Sequence, residues 1–142
     1  DLPAGEVAAS PGKTSLARGE IVESVFLPAQ PARASDAYLR FIPRTEMDIA
    51  VVGAGVNLAL DADGTCTAAR VALGAVAPRV LPVELIGSRL DGKVLAKAAE
   101  AASAVCRPID DRRGTKEFRI RVAGVLTRRA AIIAYERARA SK

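Results

Sequence analysis

The sequence predicts an α+β fold in which a four-stranded, largely antiparallel sheet is covered on one face by C-terminal helices. Apolar residues alternate with other residues over most of positions 20–77, which is the period of β-strands. Beyond Pro82 the apolar residues recur every three or four positions, which is the period of helices. Strands first and helices afterwards is the order typical of α+β domains.

The opening of the chain is rich in residues that interrupt regular structure. Pro3, Pro11 and Gly12 lie among small polar residues, a composition that favours loops. We therefore expect residues 1–18 to be a linker or extended arm and residues 19–142 to form the domain. Because the chain lacks an initiating methionine, we also expect it to be a processed or excised piece of a longer protein.

Two strands are predicted before the centre of the sheet. The first is "EIVESVFLP", residues 20–28, whose apolar residues include Ile21, Val25 and Phe26 and which ends at a proline. The second is "DAYLRFIP", residues 36–43. In the second strand one set of alternate residues is Ala37, Leu39 and Phe41, and the other is Tyr38, Arg40 and Ile42.

A long hairpin is predicted near residues 48–77. Alternate residues of "DIAVVGAGVNLAL", residues 48–60, are apolar, and "DADG" at 61–64 supplies a turn before "TCTAARVALGAV" returns along the chain. We place Leu60 opposite Thr65 in this hairpin. The resulting pairs on the apolar face are Val52 with Leu73, Ala54 with Val71 and Val56 with Ala69.

The glycines of this hairpin allow two further interpretations. Gly53-Ala54-Gly55 after an apolar run is typical of a dinucleotide-binding turn, but the third glycine position is Leu58 and no acidic residue follows at the required distance. We therefore reject a Rossmann turn. As part of a strand, Gly53, Gly55, Ala72 and Gly74 form a face that is either lightly packed or open to another backbone or a flat ligand.

Two helices follow a short helical turn predicted in "LPVELIGS", residues 81–88. The first helix spans residues 91–106, and the second begins after Thr115, a suitable N-cap, with Glu117 in its first turn. The predicted apolar stripe of the first comprises Val94, Leu95, Ala98, Ala101, Ala102 and Val105. That of the second comprises Phe118, Val122, Leu126, Ala130 and Ile133, with Arg119, Arg121, Arg128 and Arg129 placed elsewhere on the circumference.

Composition excludes several kinds of catalysis. The chain has no histidine and only two cysteines, Cys66 and Cys106, in no metal-binding spacing. We predict no metal site, no catalytic residue, and buried thiols in a reducing, cytoplasmic setting. No run of residues is long and apolar enough to predict a membrane span.

Positive charge is concentrated near the C-terminus. The net charge is +5, and more than half of the 21 lysine and arginine residues lie in residues 107–142. The motifs and interleaved aromatic residues of nucleic-acid modules are absent, so nucleic acid ranks last among partners. A solvated helix face or a docking surface for an acidic partner accounts better for the charge.

The stretch "YLRFIPRTEMD" is the one polar cluster that suits a ligand. Arg40 and Arg44 flank Pro43 between two predicted strands, and Glu46 and Asp48 are near enough in sequence to pair with them. A guanidinium at a strand end can bind a pyrophosphate, a carboxylate or a flat aromatic ring. The alternative is an ordinary network of surface ion pairs.

Four stretches together resemble a known family, the C-terminal domain of the FAD-binding medium subunit of molybdenum hydroxylases such as carbon monoxide dehydrogenase and xanthine dehydrogenase. They occur in the family's order and span most of residues 11–131. The stretches are "GKTSLARGEIVESVFLP", "AYLRFIPRTEMDIAVVGAGVNLAL", "ARVALGAVAPR" and "PIDDRRGTKEFRIRVAGVLTRRA".

The resemblance implies a domain that helps to enclose FAD and to dock the iron–sulfur and molybdopterin subunits for electron transfer. Most FAD contacts would come from an N-terminal FAD-binding domain, and molybdopterin and iron–sulfur clusters would lie only in partner subunits. The family contributes a basic residue, often lysine, from the strand before Asp-Ile-Ala, and Arg40 is at the matching position. We expect this chain alone to bind FAD weakly or not at all and to have no turnover. The alternative is a stand-alone interaction domain that uses its basic C-terminal helix and no flavin.

Overall fold

The computed structural model describes residues 1–44, 48–85 and 92–141. The strands are β1 (Ala8–Ser10), β2 (Lys13–Thr14), β3 (Ala34–Phe41), β4 (Val52–Leu60), β5 (Cys66–Gly74) and β6 (Leu81–Leu85). The helices are α1 (Ala4–Val7), α2 (Gly92–Val105) and α3 (Lys116–Ala140).

The main sheet has four strands in the order β3-β4-β5-β6, and every neighbouring pair is antiparallel. Helix α3 packs across β3 and β4, and α2 packs against α3 and the edge near β6. The core lies between these layers and consists mainly of Val, Leu and Ala. The predicted α+β fold, with helices covering one face of the sheet, is confirmed.

The strand β3 follows its predicted alternation. Ala37 is buried and Leu39 packs partly buried against the core, whereas Tyr38 and Arg40 are exposed. Phe41 makes an edge-to-face contact with Phe118 at the start of α3, with ring centroids 5.7 Å apart. The alternation therefore places Tyr38 and Arg40 on the face that the helices leave open.

The predicted hairpin is present, but its register differs by two residues from the predicted one. Ala54 lies opposite Leu73 and Val56 opposite Val71. Two features cause the shift. The turn takes five residues, because the Asp61 carboxylate accepts hydrogen bonds from the backbone N–H groups of residues 63 and 65 at 3.0 and 2.8 Å. A bulge also leaves Thr67 without a partner residue, since Leu60 pairs with Cys66 and Ala59 with Ala68. A two-residue shift keeps every side chain on its predicted face.

The first predicted strand, residues 20–28, is wrong. These residues have no regular secondary structure, and their apolar side chains are exposed. Their apolar residues do alternate, but among the described residues no strand pairs with residues 20–28.

The fourth strand of the main sheet is instead β6. It occupies residues for which the sequence predicted a short helical turn. Ala72 lies opposite Pro82 and Leu73 opposite Leu81. Pro82 is tolerated because β6 is an edge strand, where a residue without a backbone N–H need not break the ladder. Residues 86–88 of the predicted turn lie outside the described residues.

Helix α2 buries Leu95, Ala98 and Ala102 as predicted, although Val105 is exposed.

Thr115 is the N-cap of α3, since its hydroxyl accepts a hydrogen bond from the Phe118 backbone N–H at 3.2 Å.

The buried face of α3 is rotated from the predicted stripe. Leu126 and Ala130 are buried, but Phe118 is 40 % exposed. The face is also wider, because α3 contacts both the sheet and α2. Its fully buried residues are Arg119, Ala123, Gly124, Leu126, Thr127, Ala130, Ala131, Ala134 and Ala138. We expected Arg119 to lie on the solvated side of α3. That prediction is wrong, because Arg119 is buried.

Residues 1–18 contain some local structure. The turn α1 leads into a small hairpin of β1 and β2, closed by a hydrogen bond from the Ser15 backbone N–H to the Val7 carbonyl at 3.0 Å. Nearly all side chains here are exposed. Within the described parts of the chain, no helix has the length and apolar character needed to cross a membrane.

Candidate functional site

The open face of the sheet carries the predicted glycine and alanine surface. We define the outer sheet face as Tyr38, Arg40, Gly53, Gly55, Ala72 and Gly74. In the observed register Arg40, Gly53 and Gly74 form one row across three strands, and Tyr38, Gly55 and Ala72 form the next. On β4 and β5 this face therefore consists of glycine and alanine, and the one large ring over it is that of Tyr38 from β3. A flat group can come close to the β5 part of the face or stack on that ring.

The ring of Tyr38 lies across the glycines of the neighbouring strand. A Cβ atom placed on Gly53 would be 2.7 Å from Tyr38 Oη and 3.3 Å from Cε2, and one on Gly55 would be 3.7 Å from Cδ2. Glycine at position 53 is therefore what allows the ring to lie flat on the sheet. Tyr38 remains 64 % exposed, so its outward ring face is available to a ligand or a neighbouring domain.

Arg40 is at the end of the same face. Its side chain is exposed, and within the described residues it makes no recorded hydrogen bond or ion pair. An unpaired guanidinium beside an apolar platform can bind a phosphate or a carboxylate, or stack on a flat ring. The outer sheet face therefore combines stacking surface with one positive group.

Arg44, the other predicted basic residue, has a structural role. Its Nε lies 3.2 Å from Asp48 Oδ2, and the other oxygen of Asp48 accepts a hydrogen bond from the Ile49 backbone N–H at 2.8 Å. The ion pair expected between Arg44 and Asp48 is therefore present. Glu46, the other predicted partner, lies outside the described residues.

Sequence reasoning missed the residue that organises this end of the domain. Arg119 is only 4 % exposed, and its Nη1 donates to the Val51 carbonyl at 2.9 Å. Its Nη2 donates to Asp111 Oδ1 at 2.6 Å, and its Nε donates to the Gly114 carbonyl at 3.4 Å. Arg119 thus joins helix α3, the loop before it and the start of β4. The sequence did not predict its burial, because Arg119 is charged and lies outside the predicted apolar stripe that begins at Phe118.

A charged cleft of about 400 Å³ lies beside this junction. Asp48 and Asp111 both line it, and Arg113 pairs with both carboxylates. Arg113 Nε lies 3.7 Å from Asp48 Oδ1, and Arg113 Nη1 lies 3.8 Å from Asp111 Oδ2. The cleft is lined by Pro43, Arg44, Asp48, Asp111, Arg112 and Arg113. Both carboxylates already have arginine partners, so this cluster links two loops and offers no free acid or base.

The carboxylates of the cleft are held in their charged form. Desolvation raises the pKa of Asp48, but hydrogen bonds from Arg44 and the Ile49 backbone outweigh it and leave the pKa below its usual value. The pKa of Asp111 is lowered by the backbone N–H of Arg113 and by Arg119. A carboxyl whose pKa is lower in the folded state stabilises the fold above the unfolded pKa and loses that contribution as pH falls through the folded pKa.

We therefore expect the domain to lose stability between about pH 5 and pH 2 as these two aspartates are protonated. Urea unfolding followed by circular dichroism at several pH values measures the effect. Asp111→Asn is expected to flatten this pH dependence. Asp63→Asn is the control, because Asp63 is exposed and its carboxylate makes no hydrogen bond or ion pair within the described residues. If the free energy of unfolding of Asp111→Asn falls with pH as it does in the parent chain, the ion pair of Asp111 does not contribute to the pH dependence.

The cysteines offer no reactive thiol. Cys66 and Cys106 are both buried and free, and burial raises the pKa of each thiol. Across the residues that the structure describes, no group of three His, Cys, Asp or Glu residues is arranged to hold a metal ion.

The basic residues of α3 are divided between two environments. Arg121, Arg128 and Arg129 are exposed on the side away from the sheet. Arg137 donates to the Asp36 carbonyl at 2.8 Å, and the Arg139 guanidinium lies 5.8 Å from the Tyr135 ring. The exposed arginines form a positive surface opposite the outer sheet face.

Together these features define a small α+β domain whose uncovered sheet face combines glycine and alanine with an exposed tyrosine and an exposed arginine. Comparison with known proteins assigns it to a family. Residues 37–134 match the family model described as the CO dehydrogenase flavoprotein C-terminal domain. The chain belongs to that family.

Individual relatives agree with this assignment. The chain is 34% identical over 131 residues to the carbon monoxide dehydrogenase medium chain of Afipia carboxidovorans, covering 89% of this chain and 45% of the relative. It is 31% identical over 146 residues to subunit alpha of the 6-hydroxypseudooxynicotine dehydrogenase complex of Paenarthrobacter nicotinovorans, covering 99% of this chain and 49% of the relative. The chain thus spans about half the length of the curated relatives it matches.

Solved structures share the fold. The carbon monoxide dehydrogenase of Hydrogenophaga pseudoflava superposes with a TM-score of 0.89 at 30% identity, covering 96% of this chain and 48% of the matched one. Quinoline 2-oxidoreductase from Pseudomonas putida 86 gives a TM-score of 0.83 at 28% identity, covering 96% and 48%. The predicted resemblance is confirmed, and no comparison supports the alternative of a stand-alone interaction domain.

Proposed function

We propose that this chain is the C-terminal part of the flavoprotein subunit of a molybdenum-containing hydroxylase. In this role it helps to enclose an FAD that is held mainly by an N-terminal FAD-binding domain. The relatives named above are medium chains and subunits of dehydrogenases, which supports this class of protein.

The observation that carries the proposal is the outer sheet face. Tyr38 lies directly over Gly53, since a Cβ atom there would be 2.7 Å from Tyr38 Oη, and the ring is 64% exposed on its outer side. Arg40, in the same row as Gly53, is exposed and free to bind an anionic or aromatic group. A flat ring system with a pyrophosphate tail suits an apolar platform with one guanidinium at its end, so the residues present fit FAD.

The residues of this chain would bind, orient and shield the cofactor. Bound FAD supplies the redox chemistry, accepting electrons and passing them on. Tyr38 would cover part of the ring system and Arg40 would neutralise negative charge near it. The chain needs no acid, base or nucleophile for this role, which agrees with the absence of histidine and the buried thiols.

Further parts of the chain would serve the assembly. Residues 1–18 would form the linker or arm toward the N-terminal FAD-binding domain, and residues 19–142 the domain itself. The exposed arginines of α3, Arg121, Arg128 and Arg129, would help to dock the partner subunits that carry the iron–sulfur clusters and molybdopterin. The assembly would be cytoplasmic, with no nucleic acid among its partners.

The test uses a chimeric subunit, defined as the Hydrogenophaga pseudoflava medium chain in which the matching stretch is replaced by these 142 residues. In the chimeric subunit Arg40→Ala is expected to weaken FAD binding by roughly tenfold to a hundredfold, because a charge-assisted contact is lost. Flavin absorbance after dialysis, together with titration calorimetry, measures this.

Two controls accompany this variant. Arg40→Lys should restore most of the affinity, since the positive charge is retained, and Arg128→Ala on the far side of α3 should leave it unchanged. Equal flavin retention by Arg40→Ala and the parent chimeric subunit would contradict the role of Arg40. Tight stoichiometric FAD binding by the 142 residues alone would contradict the proposal that the N-terminal FAD-binding domain makes most of the FAD contacts.

A further inference from the structure

The charged cleft beside the start of α3 contains more positive than negative charge. Its volume is about 400 Å³, and its charged lining residues are three arginines, Arg44, Arg112 and Arg113, and two aspartates, Asp48 and Asp111. The role described above, in which the ion pairs link two loops, uses only part of this positive charge. The guanidinium groups that remain are available to a ligand.

The two carboxylates of the cleft are occupied from within the fold. The side chain of Asp48 is only 7% exposed, and its Oδ2 accepts a hydrogen bond from Arg44 Nε at 3.2 Å. Asp111 Oδ1 accepts hydrogen bonds from Arg119 Nη2 at 2.6 Å and from the Arg113 backbone N–H at 2.7 Å. Arg119 is not a lining residue, so its buried guanidinium adds a further positive charge behind the cleft. An entering anion therefore meets carboxylates whose charge is already balanced.

The guanidinium of Arg113 has donors to spare. It pairs with both carboxylates, but at 3.7 Å from Asp48 and 3.8 Å from Asp111. Both separations exceed the length of a hydrogen bond. Within the described residues, Arg113 therefore contributes charge to these pairs while its side-chain N–H groups donate no hydrogen bond to protein.

The other two arginines of the cleft also keep free donors. Arg112 is exposed and makes no hydrogen bond or ion pair in the described part of the chain. The side chain of Arg44 is 75% exposed and, among the described residues, donates from Nε alone, which leaves both of its Nη groups. A guanidinium is a planar fork of N–H donors that matches the oxygens of a phosphate or a carboxylate.

Charge and lining together favour a phosphate. When Arg119 is included, four arginines and two aspartates meet here, so a dianion balances the cleft better than a monoanion does. A phosphate group carries nearly two negative charges at neutral pH and has several strong acceptor oxygens. Pro43 is the one apolar residue in the lining, which gives an apolar or aromatic ligand little surface to bind.

We propose that this cleft binds a phosphate group, either as free phosphate or as the phosphate of a small ester, through Arg44, Arg112 and Arg113. Arg44 belongs to the loop after β3, and the other two belong to the loop before α3. Bound phosphate therefore connects these loops and stabilises the domain. The proposal does not depend on the proposed function, because it uses neither Arg40 nor the outer sheet face.

Calorimetric titration of the 142-residue chain with inorganic phosphate tests the site. At neutral pH and about 0.15 M NaCl, where diffuse surface charge is screened, we expect a dissociation constant of about 1 mM or lower. Phosphate at about ten times that concentration should raise the melting temperature by about 4 °C, since the ligand binds the folded chain alone. No binding of phosphate in this titration would overturn the proposal.

Substitution of Arg112 identifies the site. Arg112→Gln is expected to weaken phosphate binding by about tenfold or more. It should leave the melting temperature in phosphate-free buffer unchanged, because Arg112 has no partner in the described structure. Arg112→Lys should give an intermediate affinity, since the charge stays but the fork is lost.

The matched control is Arg128→Gln, which removes an exposed arginine of α3 and should bind phosphate as the parent does. Equal affinity of Arg112→Gln and the parent would overturn the proposal. Equal weakening by Arg112→Gln and Arg128→Gln would also overturn it, because the anion would then respond to the overall charge and not to the cleft.

Three further titrations define the ligand. Adenosine monophosphate that displaces phosphate and loses affinity in Arg112→Gln supports a phosphate ester, whereas phosphate that it does not displace supports the free anion. Tighter binding of malonate, a dicarboxylate, than of phosphate would overturn the assignment to phosphate. In the chimeric subunit saturated with FAD, phosphate should bind with unchanged affinity, and Arg112→Gln should leave FAD binding unchanged. Competition between FAD and phosphate would overturn a separate site and leave the proposed function standing.

Discussion

Replacing Arg119 by methionine is expected to lower the free energy of unfolding by about 2 to 4 kcal/mol. Methionine fills a similar volume but cannot donate, so the carbonyl of Val51, a fully buried residue, would lose its partner. Asp111 would lose its partner at 2.6 Å as well, whereas the Gly114 carbonyl would keep the hydrogen bond that it accepts from the Asp111 backbone N–H at 3.3 Å. Unsatisfied buried acceptors cost more than the hydrogen bonds contribute. Urea unfolding of the 142-residue chain, followed by circular dichroism, measures the loss.

The control for this prediction lies two residues away. Arg121 is on the same helix but exposed, so Arg121→Met should change the free energy of unfolding by no more than about 0.5 kcal/mol. If both variants unfold at the same urea concentration, the buried guanidinium is not what joins α3 to the start of β4.

Replacing Gly124 by valine is expected to destabilise the domain by about 2 to 3 kcal/mol. At Gly124 helix α3 lies close against α2, because an added Cβ would be 2.8 Å from Ser103 Oγ and 3.1 Å from the Ala99 carbonyl oxygen. The Ser103 side chain can move, but the Ala99 backbone moves only if the helix does. Valine would therefore force the two helices apart. Differential scanning calorimetry of the 142-residue chain checks this.

Smaller changes at the same place separate sterics from helix propensity. Gly124→Ala is expected to cost less, because the better helix propensity of alanine offsets about 1 kcal/mol of the overlap. Combining it with Ser103→Ala should recover part of the loss, since the nearest contact atom is removed. Gly74→Ala is the control, because nothing lies within 4 Å of its added Cβ. Wild-type stability in Gly124→Val would contradict a close helix crossing.

Local patterns sufficed for the elements that pair with their neighbours in sequence. The alternation in β3 placed Tyr38 and Arg40 on the open face, and the turn residues after Leu60 predicted the hairpin. The N-cap at Thr115 was readable because a capping hydroxyl acts within three residues of its own position. These signals are short-range, and they also located the candidate site.

What could not be predicted depends on contacts between distant residues. The hairpin register follows from a bulge at Thr67, whose hydroxyl donates to the Ala59 carbonyl at 3.2 Å. Arg119 is buried because it finds a carbonyl 68 residues away in sequence, and nothing in its local pattern distinguishes it from Arg121. Residues 20–28 were predicted as a strand because their apolar residues alternate, but a strand also needs a pairing partner, which local sequence does not identify.

We propose that the outer sheet face, and not the surface of α3, faces the flavin. Fluorine NMR of the chimeric subunit labelled with 3-fluorotyrosine tests this, with the resonances of Tyr38 and Tyr135 identified by their loss in Tyr38→Phe and Tyr135→Phe. Tyr135 on α3 donates to the Gly64 carbonyl at 3.1 Å and serves as the internal reference. Addition of FAD is expected to shift the Tyr38 resonance and leave that of Tyr135 in place. Saturating FAD that leaves the Tyr38 resonance unmoved would contradict the account.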